Sequence, residues 1–351
     1  MSQAKKCRVA VNGYGVIGKR VAEAVARQDD MELAGVADIS TDWRPRVALQ
    51  KGFRLFGATG EHTQAMRESG LEVVGNLEDL LGVSDLVVDC TPKRIAALNV
   101  DIYRQRGIKF IVQGGEKHEV TGHSFVAEAS YSSALNREST RVVSCNTTSI
   151  VRTLTALKHA GLLRRARGTL LRRATDPWES HLGGIMNTLV PEPQIPSHQG
   201  PDAPRVDPAL DVITMAVKVP ETLAHLHYWS VQLTRPASTE EVLDAFAASS
   251  RIALIRTDAG LSALNTVKEL MADLGRPHDN LYEVALWSDM LKVEGDELFY
   301  AYMVDNQAIV IPETIDAVRA LTGTMSNAKE SIAKTDATLG IGLLTQIAGR
   351  R

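Results

Sequence analysis

A glycine-rich turn near the start of this 351-residue chain constrains its fold more than any other feature of the sequence. The turn reads GYGVIG at residues 13–18, follows the apolar residues 8–12, and precedes apolar residues at helical spacing. In this strand–turn–helix setting the glycines allow a tight turn, the approach of a pyrophosphate to backbone amides, and close packing of helix on strand. The pattern therefore predicts a dinucleotide-binding βαβ unit with Gly13, Gly15 and Gly18 beside the cofactor.

Asp38 ends the second predicted strand of this unit, about twenty residues after the last glycine, where an acidic side chain accepts hydrogen bonds from the adenosine ribose. A carboxylate at this position also repels a 2′-phosphate. The sequence thus predicts NAD as the cofactor, with NADP disfavoured. The alternative is that Asp38 only begins the turn that follows it.

Short apolar strands alternate with helical patterns through the first part of the chain, which is typical of a parallel sheet buried on both faces. Later strands are longer and partly alternating, and a proline-rich stretch at residues 177–208 predicts one long loop. We expect an α/β protein of two domains. A Rossmann-type doubly wound parallel sheet would occupy residues 1–144, an α+β catalytic domain with a mainly antiparallel sheet 145–308, and C-terminal helices 309–351.

The composition argues against several classes of function. The formal net charge is −3 and no block of like charge occurs, so no nucleic-acid surface is expected. No apolar run reaches the length of a membrane span or of the apolar segment of a signal peptide, so we expect a cytoplasmic protein without a membrane partner. The three cysteines are widely spaced and form no CxxC pair, which argues against a disulfide framework and against a metal site.

Cys145 is the candidate nucleophile because it lies between a predicted strand at residues 141–144 and a predicted helix at 150–157. Unpaired amides at the start of a helix stabilise a thiolate, so we expect a lowered pKa for this thiol. The alternative is a small buried residue. Histidine is the base best suited to neutral pH, and His225 and His227 share one face of a predicted strand, so their spacing does not choose between them.

Two arginines precede the long loop, and a histidine lies towards its end. Guanidinium groups bind phosphate oxygens bidentately, which would make Arg172 and Arg173 candidate contacts to a phosphate. Paired arginines on a strand also occur at solvated edges. The residues alone leave both interpretations open.

Several motifs resemble the archaeal-type (class II) phosphorylating glyceraldehyde-3-phosphate dehydrogenases, and the likeness runs in unbroken order from about residue 7 to 341. They are NGYGVIGKR at residues 12–20, QGGEK at 113–117, VSCNTT at 143–148 and PSH at 196–198. The resemblance implies that Cys145 attacks an aldehyde to give a thiohemiacetal and that a hydride passes to nicotinamide. Inorganic phosphate then releases an acyl phosphate from the thioester.

The same resemblance implies roles for individual residues. It makes His225 the general base, and it implies a homotetramer whose C-terminal helices return to the first domain. The remaining residues that it implies are Val16, Ile17, Gly114, Arg173 and Asn306 beside the cofactor, and Ser144, Asn146, Arg172, His198 and Gln199 beside the substrate.

Four positions depart from the family pattern, and each lies at a binding position. Asp38 replaces a lysine that favours a 2′-phosphate, and HLGG at residues 181–184 replaces Lys-Lys-Gly-Pro. Gln199 replaces a histidine, and DNQ at residues 305–307 replaces His-Gln-Glu, where Asn306 still provides a hydrogen-bonding amide for a carboxamide. The loss of two lysines and a histidine weakens the case for a triose phosphate and for phosphate as acceptor.

We expect NAD-dependent oxidation and phosphorylation of glyceraldehyde 3-phosphate to 1,3-bisphosphoglycerate. The alternative is a related thiolate-dependent dehydrogenase that acts on another small aldehyde or phosphoaldehyde, with water completing deacylation. A non-catalytic NAD sensor would not need both Cys145 and His225. A semialdehyde-type reductase that uses NADPH is disfavoured by Asp38.

Overall fold

The structure, a computed structural model, describes the chain in three stretches, residues 6–113, 115–183 and 185–348. Within these stretches no helix is both long and apolar enough to cross a membrane. The chain forms two compact units, and each is built on its own β-sheet.

The two units divide the chain in a way that differs at its C-terminal end from the expected domains. The first unit contains the chain up to Val143 together with Ile311–Leu339. The second contains Ser144–Val310 together with the chain from Gly340 onward. Of the expected segment 309–351, the stretch Ile311–Leu339 therefore belongs to the first unit.

The first unit has a sheet of eight strands, and every neighbouring pair is parallel. The strands are β1 (Cys7–Asn12), β2 (Met31–Asp38), β3 (Leu55–Gly57), β4 (Gly75–Asn76), β5 (Leu86–Asp89), β6 (Lys109–Val112), β7 (Ser124–Phe125) and β8 (Ser139–Val142). Their order across the sheet is β4-β3-β2-β1-β5-β6-β8-β7. The order reverses at β1, and ligands of such sheets bind at the carboxyl ends of the strands beside that point. The predicted Rossmann-type fold is confirmed.

Helices cover both faces of a parallel sheet, so its central strands consist almost entirely of buried apolar residues. Val9 and Val11 on β1 and Val87 and Val88 on β5 are fully buried. Six helices lie between the strands: α1 (Val16–Ala26), α2 (Trp43–Gln50), α3 (Gly60–Glu68), α4 (Leu77–Gly82), α5 (Ala96–Gln105) and α6 (Ala127–Ala134).

The second unit contains a mixed, mainly antiparallel sheet, as predicted. Its strands are β9 (Leu163–Arg173), β10 (Val190–Pro191), β11 (Val212–Val219), β12 (His225–Leu233), β13 (Ile252–Ile255), β14 (Val284–Trp287), β15 (Lys292–Glu294) and β16 (Glu297–Val304). Their order is β10-β11-β9-β12-β16-β14-β13, and β15 pairs with β16. Among the residues that the structure describes, only the pairs β9–β11 and β13–β14 of this sheet are parallel.

The remaining helices complete both units. They are α7 (Cys145–His159), α8 (Ser180–Gly183), α9 (Gln199–Asp202), α10 (Thr239–Ala247), α11 (Leu264–Asp273), α12 (Val310–Thr322), α13 (Ala328–Leu339) and α14 (Leu343–Ala348). The last of these belongs to the second unit because its Leu344 and Ala348 are buried in a core cluster with Ile255 and Ala285. The segment expected as one long loop contains α8, β10 and α9, all of them short.

Strand β12 positions the candidate catalytic residues. Its side chains alternate between a buried and a more exposed face, which is the periodicity of a strand with one face in the core. His225, His227 and Trp229 are on the buried face. Both candidate histidines therefore point to the interior of the second unit, where they contact residues of α7.

Candidate active site

Cys145 is the first residue of α7, and the start of this helix is firmly capped. The Ser144 hydroxyl accepts a hydrogen bond of 3.3 Å from the Thr147 amide and lies 2.9 Å from the Thr147 hydroxyl. Thr147 in turn donates to the Asp202 carboxylate on α9 at 3.0 Å. The Ser144 side chain, predicted beside the substrate, thus caps the helix that carries the thiol.

The thiol and one of the two candidate histidines form a close pair. Cys145 Sγ lies 3.6 Å from His225 Nε2. On the other side of the ring, the main-chain N–H of Arg173 donates to His225 Nδ1 at 3.0 Å. A neutral imidazole carries one proton, and because Nδ1 accepts this hydrogen bond, the proton belongs on Nε2 and points at the sulfur.

The electrostatics of the pair differ from the expectation of a thiol with a lowered pKa. Burial raises the pKa of the Cys145 thiol to about 11, and this outweighs the lowering by Arg173, by the Asn146 backbone amide and by Arg172. Burial also lowers the pKa of His225 well below its ordinary value, with His227 and the two arginines adding to the effect. Both groups are therefore neutral at pH 7 in the protein without ligands, and the helix start does not overcome desolvation.

Asn146 and His227 form a second layer behind the sulfur. The Asn146 amide nitrogen lies 3.8 Å from Cys145 Sγ, and its amide oxygen lies 2.8 Å from His227 Nε2. His227 Nδ1 lies 3.0 Å from the Tyr302 hydroxyl. The structure thus separates the two histidines that the spacing left equivalent: His225 contacts the sulfur and His227 contacts Asn146.

The candidate phosphate contacts Arg172 and His198 meet at a carboxylate that sequence reasoning did not identify. Arg172 Nη1 lies 3.3 Å from both Glu192 oxygens, and His198 Nδ1 lies 3.0 Å from one of them. The Arg172 Nε atom is buried and has no partner in the part of the chain that the structure describes. No motif in the sequence marked Glu192, because its partners are distant along the chain or in an irregular loop.

Gln199 is fully buried, and neither its amide nitrogen nor its amide oxygen has a partner among the residues described. A buried amide without hydrogen bonds is strongly disfavoured unless a ligand or a water satisfies it. This supports the predicted position of Gln199 beside a bound polar group.

Two predicted cofactor contacts in the second unit have different surroundings. The Arg173 guanidinium donates to the carbonyl oxygens of Thr175 and Thr222 and pairs with Asp176 at 2.5 Å. It therefore holds the loop after β9 and is not an open binding group. The Asn306 amide oxygen is buried and has no partner in the described stretches, so it is available to an amide donor.

In the first unit, the glycine turn has the features that a dinucleotide requires. A Cβ on Gly18 would lie 1.8 Å from the Gly13 carbonyl oxygen, and Gly13 itself has φ of 91°. A Cβ on Gly15 would meet nothing within 4 Å, and no side chain caps the start of α1. The amides of Val16 and Ile17 thus begin a helix beside open space, which fits a pyrophosphate.

Asp38 braces this turn. Its carboxylate accepts hydrogen bonds from the amides of Tyr14 at 2.6 Å, Ile39 at 2.8 Å and Ser40 at 2.8 Å. A carboxylate has about four acceptor positions, so one remains for a ribose hydroxyl. The structural and the cofactor interpretations of Asp38 are therefore compatible. Gly114, the remaining predicted cofactor contact, lies outside the described residues.

Comparisons with known families match the two parts of the chain separately. Residues 144–273 match the family described as glyceraldehyde 3-phosphate dehydrogenase, C-terminal domain. Residues 7–121 match the family described as dihydrodipicolinate reductase, N-terminus. The first range contains the thiol and strands β9 to β13 of the mixed sheet, and the second contains the glycine turn and strands β1 to β6 of the parallel sheet.

The fold and the paired thiol and imidazole define the class of two-domain α/β dehydrogenases with a cysteine in the second domain. A glyceraldehyde-3-phosphate dehydrogenase of Methanobrevibacter smithii is 42% identical over 335 residues, which are 95% of this chain and 99% of the relative. One of Thermococcus kodakarensis is 42% identical over 336 residues, which are 96% and 99% of the two chains. The chain belongs to the archaeal-type glyceraldehyde-3-phosphate dehydrogenase family, as the sequence motifs predicted. Membership implies a nicotinamide cofactor.

Proposed function

We propose that this chain is an NAD-dependent, phosphorylating glyceraldehyde-3-phosphate dehydrogenase that forms 1,3-bisphosphoglycerate. The observation that carries the proposal is the 3.6 Å contact between Cys145 Sγ and His225 Nε2 at the capped start of α7. The other two cysteines have no such setting: burial raises the pKa of Cys7 to about 12, and burial also raises the pKa of Cys90 well above its ordinary value.

The Cys145 sulfur bonds to the aldehyde carbon as the C=O π bond opens, and the thiol proton passes to the carbonyl oxygen, which gives a thiohemiacetal. A bound nicotinamide would accept the hydride from that carbon while a base takes the hydroxyl proton, which leaves a thioester. His225 Nε2 lies 3.6 Å from the sulfur, which places it close to the carbon that the sulfur binds. In the resting site it donates its proton, because the Arg173 amide occupies Nδ1. For His225 to act as a base, the ring proton must move to Nδ1 and the Arg173 contact must open.

Arg172, His198 and Gln199 are the proposed contacts to substrate phosphate or inorganic phosphate. Support comes from the unpartnered Nε of Arg172 and the unpartnered amide of Gln199. The cationic charge of Arg172 also suits an anion close to the thiol, since it is near enough to affect the pKa of Cys145.

One observation favours a second candidate, a related dehydrogenase that acts on another small aldehyde and deacylates with water. Glu192 lies against both Arg172 and His198, so the two proposed phosphate contacts already share a carboxylate. A carboxylate disfavours a bound anion by direct repulsion. The second candidate therefore predicts that phosphate is dispensable.

NAD is the proposed cofactor, with NADP less favoured, because Asp38 places a carboxylate at the end of β2 and braces the glycine turn. The three cysteines are free thiols, which is compatible with a cytoplasmic protein.

A homotetramer is also part of the proposal. On the second sheet, Ile213, Met215, Tyr228 and Phe299 are each more than a third exposed, and Met215, Tyr228 and Phe299 line a groove of about 360 Å³. Exposed apolar patches of this kind are typical of protein interfaces. Light scattering of the purified protein measures the assembly directly.

The proposed reaction is tested by NADH formation from glyceraldehyde 3-phosphate with and without inorganic phosphate or arsenate. We expect turnover to require one of these anions and to be lost in Cys145→Ser. Equal steady-state rates with and without them would overturn the phosphorylating reaction and support the second candidate.

A further inference from the structure

The side chain of Asn146 has two possible orientations that differ in what they present to the thiol. With its amide nitrogen 3.8 Å from Cys145 Sγ, the NH₂ group faces the sulfur and the oxygen faces away. A thiolate accepts hydrogen bonds, whereas an amide oxygen in the same place repels it. Only the observed orientation stabilises the nucleophilic form of Cys145.

The group behind Asn146 decides which orientation is stable. The Asn146 oxygen lies 2.8 Å from His227 Nε2, and an amide oxygen only accepts, so Nε2 must carry the proton. Burial, with a contribution from Arg172, lowers the pKa of His227 to about 3, so the ring is neutral and its Nδ1 is unprotonated. The Tyr302 hydroxyl, 3.0 Å from Nδ1, then donates to it.

The surroundings of His227 hold this arrangement in place. The imidazole is fully buried and packs against the Tyr302 ring with centroids 4.9 Å apart. The Tyr302 hydroxyl shares its one proton between His227 Nδ1 and the Ser149 hydroxyl oxygen, which accepts from it at 3.2 Å. Ser149 in turn donates to the main-chain carbonyl oxygen of Asn146 at 2.8 Å. Burial raises the pKa of Tyr302, so its hydroxyl keeps the proton that it donates.

We propose that His227 is a positioning residue: with Tyr302 it fixes the Asn146 amide so that its NH₂ donates to the Cys145 sulfur. The inference rests on the proposed role of Cys145 as nucleophile. His227 itself touches no reacting atom. It acts through Asn146, and its effect must disappear when the Asn146 amide is removed.

The pH dependence of Cys145 alkylation by iodoacetamide, followed by peptide mass mapping, tests the proposal without substrate or cofactor. The other charged or titratable groups that act on the sulfur are His225 on β12, Arg172 and Arg173 on β9, and Asp305 after β16. All of them stay unchanged in the variants used.

His227→Phe keeps a ring but removes both hydrogen bonds, so Asn146 is free to turn. We expect the alkylation profile to shift upward by about one pH unit, because a thiolate loses one charge-assisted hydrogen bond. Since burial already raises the pKa of the thiol to about 11, the shift is measured as a rate constant about tenfold lower between about pH 7 and 9. Tyr302→Phe should shift the profile in the same direction by less. His227→Gln, which retains a donor for the Asn146 oxygen, should restore most of the original rate.

Asn146→Ala provides the decisive background. If His227 acts through Asn146, His227→Phe adds no further shift there. An equal shift in both backgrounds, or no shift in either, overturns the proposal. If His227→Phe does not fold, as judged by its melting transition, the same comparison is made with Tyr302→Phe. If the His227→Phe shift does not depend on Asn146 but NADH forms normally, only the inference about His227 is refuted. If the shift does depend on Asn146 but no NADH forms, only the proposed reaction is refuted.

Discussion

The main-chain N–H of Arg173 donates a hydrogen bond of 3.0 Å to Nδ1 of His225. Because a backbone amide cannot accept in return, this contact opposes any state of the ring that carries a proton on Nδ1, including the imidazolium. The same histidine faces Cys145 through Nε2. A pre-formed thiolate–imidazolium pair is therefore disfavoured, and His225 serves as a neutral donor to the sulfur before substrate binds.

The first prediction concerns the reactivity of the three cysteines. Cys145 should be alkylated fastest in the protein without ligands, and its rate should still rise as the pH approaches about 11, because the thiolate is the reactive form. Cys7 should be slower because burial raises its pKa to about 12. Iodoacetamide labelling with peptide mapping measures all three rates in one sample. A plateau for Cys145 near pH 7 would contradict the neutral pair.

The second prediction concerns Glu192. Glu192→Gln removes the carboxylate that Arg172 and His198 share, so both become available to an anion. Partly exposed ion pairs of this kind contribute up to roughly 1 kcal/mol, so the KM for inorganic phosphate should fall by about two- to fivefold. Steady-state kinetics at varied phosphate measures it.

The matched control for Glu192 is Glu294→Gln, which removes a carboxylate from an exposed ion pair on β15 and should leave the KM for phosphate unchanged. A higher KM in Glu192→Gln would mean that Glu192 supports the anion contacts by holding them in place.

The third prediction concerns cofactor choice. Asp38→Asn keeps the shape of the side chain and one oxygen, which can still accept from the Ile39 and Ser40 amides, while the contact to the Tyr14 amide is lost. It also removes the charge that repels a 2′-phosphate. The ratio of kcat/KM for NADP to that for NAD should rise at least about tenfold, since like-charge contacts cost several kcal/mol. An unchanged ratio would leave Asp38 with only its bracing role.

The fourth prediction concerns stability in acid. Burial lowers the pKa of His123 from 6.5 to about 4, and its neutral ring lies 2.7 Å from the Thr140 hydroxyl and 2.9 Å from that of Ser133. The unfolded chain takes up a proton at higher pH than the folded protein. The stabilisation is therefore complete above about pH 6.5 and is lost as the pH falls towards 4.

The linked free energy for His123 is at most roughly 3 kcal/mol. His123→Gln should reduce the difference in urea midpoint between pH 7.5 and pH 5. The same pH difference in the variant and in the unmutated protein would show that the pKa of His123 is not lowered by folding.

Local features of the sequence were sufficient to predict the first unit. The glycine spacing and the continuous apolar strands depend only on neighbours in the chain, and a Cβ at Gly13 or Gly18 would collide with backbone in the structure, as the motif requires. The two sheets were predictable because their strands show periodic or continuous apolar patterns. The family was predictable because its motifs are contiguous in the sequence.

The candidate site was only partly predictable because its properties depend on contacts between distant residues. A lowered pKa was expected for Cys145 because the thiol lies at the start of a helix. Burial of the thiol, which local sequence does not reveal, raises the pKa instead. His225 and His227 have the same strand periodicity and differ only in what α7 presents to them. Glu192 becomes relevant only when the loop brings it to Arg172.

The proposed reaction is tested most directly by trapping the acyl intermediate. The protein is mixed with glyceraldehyde 3-phosphate and NAD without phosphate, quenched in acid and mapped by mass spectrometry. We expect a phosphoglyceroyl adduct on Cys145 that disappears when phosphate is added before the quench. No adduct on Cys145, or an adduct that phosphate does not remove, would contradict the proposed reaction.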